Sequence, residues 1–245
     1  MQNSGNTILV TGGGSGIGAA LAREFHAAGN HVIIAGRRQA ALDAVAADHP
    51  GMATMTLDTT DAGAIKAFAE KIVEQFPALN AVLLNAGIMV AEQGIDLDTA
   101  EATVATNLLG PIRLAHALLP QLEAQANATI LTVSSGLAFV PLAATPTYSA
   151  TKAAIHSWSL AMREQLKGRV EVIEIVPPGV QTDLMPGHAE NPDMMRLDDY
   201  IAETMGLLRQ QPTQPEIHVE RVKFLSEATK RGDFDQVFAA LNQQH

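Results

Sequence analysis

The sequence predicts a doubly wound α/β domain: a parallel β-sheet of about six strands, helices on both faces and a helical C-terminal tail. Three observations predict it. Short apolar runs alternate with segments of helical periodicity from Thr7 to Val176. The runs are apolar at successive positions, as strands covered on both faces must be. No repeat, low-complexity tract or linker rich in Pro, Gly and Ser breaks the alternation, so residues 1–245 read as a single domain.

Thr7–Val10 reads as the first strand, closed by Gly12–Gly14. Ile17–Ala28 has helical spacing and stops at Gly29-Asn30, a C-terminal helix signal. His31–Ala35 is the second strand, and Gln39–Asp48 a helix closed by Pro50-Gly51. Met52–Leu57 is the third strand, followed by a helix over Asp61–Phe76 entered through Thr59, Thr60 and Asp61. Ala81–Leu84 is the fourth strand. Thr99–Gln125 reads as two helices meeting near Gly110-Pro111. Ala128–Ser134 is the fifth strand, Thr147–Lys167 a long helix and Val170–Val176 the sixth strand. Beyond Pro177 the pattern changes. Residues 183–212 are rich in Met, Asp and Pro, whereas Glu216–Lys230 and Asp233–Leu241 read as helical, which leaves no seventh strand.

Hydrophobic residues make up 47% of the 245 and charged residues 17%, enough apolar material for a buried core and too much for disorder. The net charge of −10 and the absence of clustered Lys and Arg exclude a nucleic-acid partner. Without cysteine there is no disulfide, thiolate metal site or cysteine nucleophile. No apolar run reaches the roughly 18 residues of a membrane span. Met1–Asn6 is short and polar, leaving no room for a signal peptide, so a cytoplasmic protein with no membrane partner is expected. His26, His31, His49, His116, His156, His188, His218 and His245 show no close metal-ligand spacing, so no metal site is expected; His188 lies where it can meet a substrate.

The loop between the first strand and first helix, Gly12, Gly13, Gly14, Ser15, Gly16, Ile17 and Gly18, carries a G-x-x-x-G-x-G pattern. Gly12 allows a tight turn, Gly16 lets backbone approach a phosphate, and Gly18 lets the helix pack closely on the sheet. The helix N-terminus then offers unpaired N–H groups and a partial positive charge to a pyrophosphate. An acid at the end of the second strand would bind ribose hydroxyls; here stand Arg37 and Arg38 instead. Two guanidiniums suit a 2′-phosphate, which favours NADP(H) over NAD(H), the alternative.

Tyr148 and Lys152 are four residues apart in a helical pattern and share a helix face. An ammonium beside a phenol favours the phenolate, which lets tyrosine pass a proton to or from an alkoxide at neutral pH. Ser135 closes the fifth strand at the edge of the sheet where ligands bind in doubly wound folds, and its hydroxyl can stabilise developing charge on a reacting oxygen.

With these residues in place the sequence resembles the single-domain branch of the short-chain dehydrogenase/reductase family. The resemblance rests on Thr11–Gly18, Asn85-Ala86-Gly87, Asn107, Ser134-Ser135, Tyr148-x-x-x-Lys152 and Pro178-Gly179 with Thr182, in the expected order over residues 7–182. It implies a Rossmann-like fold and hydride transfer between a nicotinamide cofactor and a ketone or aldehyde, or the corresponding alcohol. Tyr148 resembles the acid/base, and Lys152 would also hold the nicotinamide ribose. Ser135, thirteen residues before Tyr148, would polarise the carbonyl. Asn107 would hold a water that relays protons from Lys152; a helix kink is its other reading. Asp58 would meet the adenine, or merely enter a turn. Asn85, Ala86 and Gly87 would line the adenosine side, and Pro178, Gly179, Val180 and Thr182 would contact the carboxamide.

The Pro141–Tyr148 stretch and the helical tail resemble a sub-branch named for D-alanine transfer to teichoic acids. Common members end in a strand that supports a tetramer. Its expected absence here favours a homodimer through helices 99–125 and 147–167, with a tetramer as alternative. By the same resemblance, substrate contacts come from Ile88, Met89, Val90, Leu137, Phe139, Leu142 and Met185, and residues 183–212 form a lid. Those walls are apolar. Residues 183–200 carry Asp183, Glu190, Asp193, Asp198 and Asp199 against Arg196 alone, so the expected substrate is a small to medium, neutral, hydrophobic carbonyl compound. A dinucleotide sensor without turnover, and an epimerase or dehydratase using the same Tyr–Lys pair, are the competing functions.

Overall fold

Each apolar run up to Val176 becomes a strand: β1 (Thr7–Thr11), β2 (His31–Gly36), β3 (Ala53–Thr56), β4 (Leu79–Leu84), β5 (Thr129–Val133) and β6 (Glu171–Val176). The computed structural model describes residues 1–243, so His245 lies outside the described residues. Successive strand residues turn to opposite faces. Ile8, Val10, Val32 and Ile34 therefore enter one core layer with Leu21 and Phe25 of α1 (Gly16–Ala27) and Leu42 of α2 (Gln39–Ala46). Leu9, Ile33, Val82 and Leu84 enter the other with Ile65 and Phe68 of α3 (Ala62–Gln75). The α3 helix starts where Asp61 caps it, its carboxylate accepting from the N–H groups of Gly63 and Ala64 at 2.7 and 3.0 Å.

The region expected to hold two helices is a continuous rod. Helix α4 (Leu97–Val104) runs through one π turn, Ala105–Leu109, into α5 (Gly110–Glu123). The junction thus lies just before Gly110-Pro111 and is centred on Asn107. The long helix α6 (Pro146–Gln165) begins with proline in its first turn, where the missing N–H costs nothing.

The tail departs from expectation. A seventh strand, β7 (Glu216–His218), pairs in parallel with β6, giving the order β3-β2-β1-β4-β5-β6-β7. It was illegible because it is three residues long and runs straight into Val222, Leu225 and Ala228, whose spacing is helical. Pro215 just before it favours extended backbone, and its carbonyl accepts from the Glu174 N–H at 2.9 Å. Helical structure resumes as a short 3₁₀ turn, α8 (Lys223–Ser226) and α9 (Ala228–Arg231), and the chain ends on α10 (Phe234–Asn242). Segment 183–212 divides in two. Its second part holds α7 (Leu197–Leu208), whose Tyr200, Ile201, Met205 and Leu208 enter the first core layer. That i, i+1, i+5, i+8 stripe was present in the sequence, hidden among Met, Asp and Pro.

One transverse row crosses the sheet in register: Leu84, Thr132, Glu174 and Glu216. Its outer three members are polar and lie beneath α6. Ser159 of α6 meets Thr132 at 2.8 Å, His156 meets Glu174 at 2.8 Å and Arg163 meets Glu216 at 3.2 Å. Glu174 is fully buried. Among the described residues, no helix is long and apolar enough to cross a membrane, and no group of three or more His, Asp or Glu is placed to hold a metal.

Candidate active site

The strand order reverses between β1 and β4, and the loops that leave the two strands diverge there to open a crevice. Gly12, Gly14, Ser15, Arg37, Arg38, Ala86 and Gly87 line it. Thr11, which opens the glycine-loop motif, lines it too, as do Gly36, Leu57, Thr59 and Thr106, which sequence reasoning missed. The signal was available for most: Gly36 ends β2, and Leu57 and Thr59 follow β3, so position at a strand's carboxyl end selects them. Ile88, expected on the substrate side, also lines this crevice.

Backbone, more than side chains, shapes the loop. Gly12 has φ of +67°, and a Cβ there would lie 2.8 Å from Asn85 Nδ2 and 3.0 Å from Ala86 Cα. A Cβ on Gly18 would come within 2.4 Å of both the Gly12 carbonyl and Asn85 Nδ2. Asn85 is thus the peg beneath the loop. Its Nδ2 donates to the Thr11 carbonyl at 3.0 Å, and its N–H to Thr11 Oγ1 at 3.0 Å. The Ser15 side chain makes no cap hydrogen bond to α1, so the first-turn N–H groups remain available to an anion. Arg37 and Arg38 are exposed, and neither forms a salt bridge among the described residues. This is the chemistry a dinucleotide phosphate needs, and the crevice fits one. Asp58 sits apart. Its Oδ1 accepts from Thr60 N–H at 2.9 Å and Thr60 Oγ1 at 2.8 Å, which with the nearby Arg37 guanidinium holds the carboxyl below its ordinary range.

The second group converges from β5, α6 and the π turn. Tyr148, Lys152, Ser135 and Asn107 are all buried. Lys152 Nζ donates to the Val133 carbonyl at 2.8 Å and stands 5.5 Å from the Tyr148 ring centre. Burial lowers its pKa to about 8, and the buried Glu174 carboxylate opposes that fall. Burial pushes the Tyr148 phenol up to about 12, drawn back in part by the Ser135 hydroxyl. Ser135 Oγ also accepts from Leu137 N–H at 3.1 Å. Asn107 Oδ1 accepts from Ile88 N–H and Nδ2 donates to the Ile88 carbonyl, both at 2.8 Å, and Nδ2 also donates to Thr151 Oγ1 of α6 at 3.4 Å. It therefore ties the rod to the loop after β4.

The residues agree with a known family model. One described as short chain dehydrogenase matches residues 6–193. The chain belongs to the short-chain dehydrogenase family. A Bacillus subtilis (strain 168) relative named uncharacterized oxidoreductase DltE is 37% identical, covering 100% of this chain and 99% of its own length. A short chain dehydrogenase of Burkholderia cenocepacia J2315, solved in complex with NADP, superposes with a TM-score of 0.83 at 22% identity, covering 98% of this chain and 99% of its own. A member from Burkholderia phymatum, solved with NAD, gives 0.83 at 17% identity, covering 96% of each.

In this short-chain dehydrogenase the remaining expected positions are spread along the cleft. After β6, Pro178 leads to Gly179, whose carbonyl accepts from Met195 N–H at 2.9 Å, and Val180 bridges Met195. Thr182 is carried to within 3.6 Å of where a Gly16 Cβ would stand, above the first turn of α1. Residues 181–194 thus form an excursion pinned at its base. Of the expected substrate walls, Met89 and Leu142 pack on Tyr148, joined by Leu137 and Met185. Val90 is largely exposed. Phe139 is elsewhere: its ring lies 4.6 Å from His156 and 5.8 Å from His218, behind the site. Leu241 joins the Tyr148 cluster unanticipated.

Proposed function

We propose that the chain is an NADP(H)-favouring carbonyl reductase/alcohol dehydrogenase for small to medium, neutral, hydrophobic ketones and aldehydes. The convergence of Ser135, Tyr148 and Lys152, with Asn107 joining Thr151 of the same helix to the crevice residue Ile88, carries the reading. The nicotinamide, when bound, donates or accepts the hydride at the carbonyl carbon. The protein handles the proton. In reduction, Tyr148 Oη gives its proton to the carbonyl oxygen while Ser135 Oγ hydrogen-bonds that oxygen. A phenol at about 12 is too weak an acid for this unaided. The Lys152 ammonium, largely protonated at pH 7 with a pKa of about 8, favours the phenolate that remains. Asn107 positions the loop at Ile88, and its place in a π turn supports the water-relay role. Pro178, Gly179, Val180 and Thr182 take the nicotinamide end, and Gly16, Ile17 and Gly18 the pyrophosphate end. The lid role falls on residues 183–194, since α7 is part of the core. Exposed Leu109 and Leu160 support a homodimer through the α4–α5 rod and α6.

Turnover tests this directly. Wild-type protein with NADPH and a panel of aryl and alkyl ketones should consume the reduced cofactor, and Tyr148→Phe should lower kcat about 10²- to 10⁴-fold, the usual share of a general acid. Cofactor binding without turnover on any ketone or aldehyde would favour the sensor instead. Replacing Arg37 and Arg38 together by Ala should weaken NADPH about 10- to 100-fold and leave NADH nearly unchanged, the measure of charge-assisted hydrogen bonds to a phosphate. Equal losses for both cofactors would reject the 2′-phosphate role.

A further inference from the structure

We propose that the C-terminal helix builds one wall of the substrate site: Leu241 limits the size of the carbonyl compound accepted, and Asn242 clamps the loop that carries the opposite wall. The proposal rests on the carbonyl reading above for its substrate, and on the tail's own geometry for its placement.

Helix α10 is held down by one apolar stripe. Val237 is buried against Val140 and Ala228, and Phe234 packs beside them. Leu241 follows Val237 by four residues, so it continues the same face one turn on. There it belongs to two clusters at once, the tail's own and the one formed by Met89, Leu142 and Tyr148. A residue 93 positions after Tyr148 in the chain thus touches the same apolar group as the phenol.

Asn242 fixes the register. Its Oδ1 accepts from the Ala143 N–H at 2.6 Å, and its Nδ2 donates to the Pro141 carbonyl at 3.2 Å and to its own helix at Phe238 O, 2.8 Å. The side-chain amide works as a short piece of added backbone, pairing with both residues that flank Leu142. Leu142 is the buried member of that trio and packs on Tyr148. From the other side, its N–H donates to Ser149 Oγ at 3.2 Å, and the Ala144 carbonyl accepts from Glu92 N–H at 2.9 Å. The loop is therefore held between α6 and the tail, and its position depends on both.

The walls beside Tyr148 then come from four separate stretches: Met89 after β4, Leu137 and Leu142 after β5, Met185 in the excursion and Leu241 from the tail. The two methionines are long and unbranched and adapt to what enters. Leu241 is branched and anchored by a packed helix, so it sets the limit. The occupant it meets is the apolar substituent on the carbonyl carbon.

The experiment compares kcat/KM over a ladder of aryl ketones of increasing bulk, with NADPH affinity and amide hydrogen exchange at Ala143 as companions. Leu241→Ala should raise the ratio for bulky over small ketones about tenfold or more, the scale at which apolar pockets discriminate by size. Leu241→Trp should lower it, and NADPH affinity should stay unchanged in both. Asn242→Ala should speed exchange at Ala143 at least tenfold. A size ratio unchanged in both Leu241 variants, with activity falling evenly over the ladder, overturns the wall. Unchanged exchange at Ala143 overturns the clamp. If wild-type protein turns over no ketone, the carbonyl reading falls, and exchange at Ala143 in Asn242→Ala still decides the clamp.

Discussion

The two halves of the sheet hold their functional groups by different means. In the β1–β4 half the ligand crevice is made of backbone: glycines brought so close that no Cβ fits, a helix N-terminus left uncapped, and one asparagine pegging the loop. In the β5–β7 half the groups are side chains, buried and ionisable, arranged in a polar row between α6 and the sheet. A phosphate binds to many partial charges, which backbone supplies without titrating. Proton transfer needs a group that can change its charge, and such a group must be side chain, held and tuned by its neighbours. The first half therefore tolerates almost no added atom, whereas the second is sensitive to added or removed charge.

The largest effect should come from adding one atom to the backbone half. Gly18→Ala places its Cβ against the Gly12 carbonyl and Asn85 Nδ2, where neither can retreat without moving the loop. A loss of about 3 kcal/mol or more is expected, at the upper end for overpacking, along with most of the dinucleotide affinity. Urea unfolding and NADPH titration measure both. A stable variant with full affinity would show that the loop is softer than its contacts imply, and the contrast between the halves would fail.

The same division explains what was legible in the sequence. Backbone sites leave strong marks, because only glycine meets their demands; Gly12, Gly16 and Gly18 between a strand and a helix were enough. Tyr148, Lys152 and Ser135 were legible through their spacing. Long-range support was not. Nothing local to Glu174 in the sixth strand says that His156 covers it. Phe139 was assigned to a substrate wall by its position after Ser135, but its ring packs behind the site on His156 and His218. Leu241 and Asn242 act across about a hundred residues, a distance at which periodicity carries no signal. β7 was hidden by its length, and α7 by its composition.

A smaller and more selective effect should follow from removing one charge in the second half. Glu174 is fully buried beneath α6. From α6 it meets the His156 ring at 2.8 Å and favours the charge on Lys152; from β7 it is in register with Glu216, which pairs with Arg163 at 3.2 Å and His218 at 3.4 Å. His156 has its pKa raised, chiefly because its ring Nδ1 donates to the Glu174 carboxylate, against the cost of burial. A raised histidine stabilises the fold fully below its unfolded value of about 6.5 and loses that contribution as pH climbs through the folded value. Wild-type stability should therefore fall as pH rises above about 6.5. At more alkaline pH Lys152, lowered to about 8, acts with the opposite sign, because the unfolded chain then binds the extra proton. Glu216, held down to about 2, titrates well below this range. Glu174→Gln keeps the shape and a hydrogen-bonding oxygen but removes the charge. It should cost about 1.5–3 kcal/mol at pH 6, the range for a hydrogen bond to a charged group, and flatten the fall in stability above about pH 6.5. It should also move the alkaline fall of kcat to lower pH, because Lys152 loses the carboxylate that supports its proton. Urea unfolding across that range, set beside a pH–rate profile, reads both. Parallel stability curves in wild type and variant would mean that the row beneath α6 is packing alone, and that the second half differs from the first only in composition.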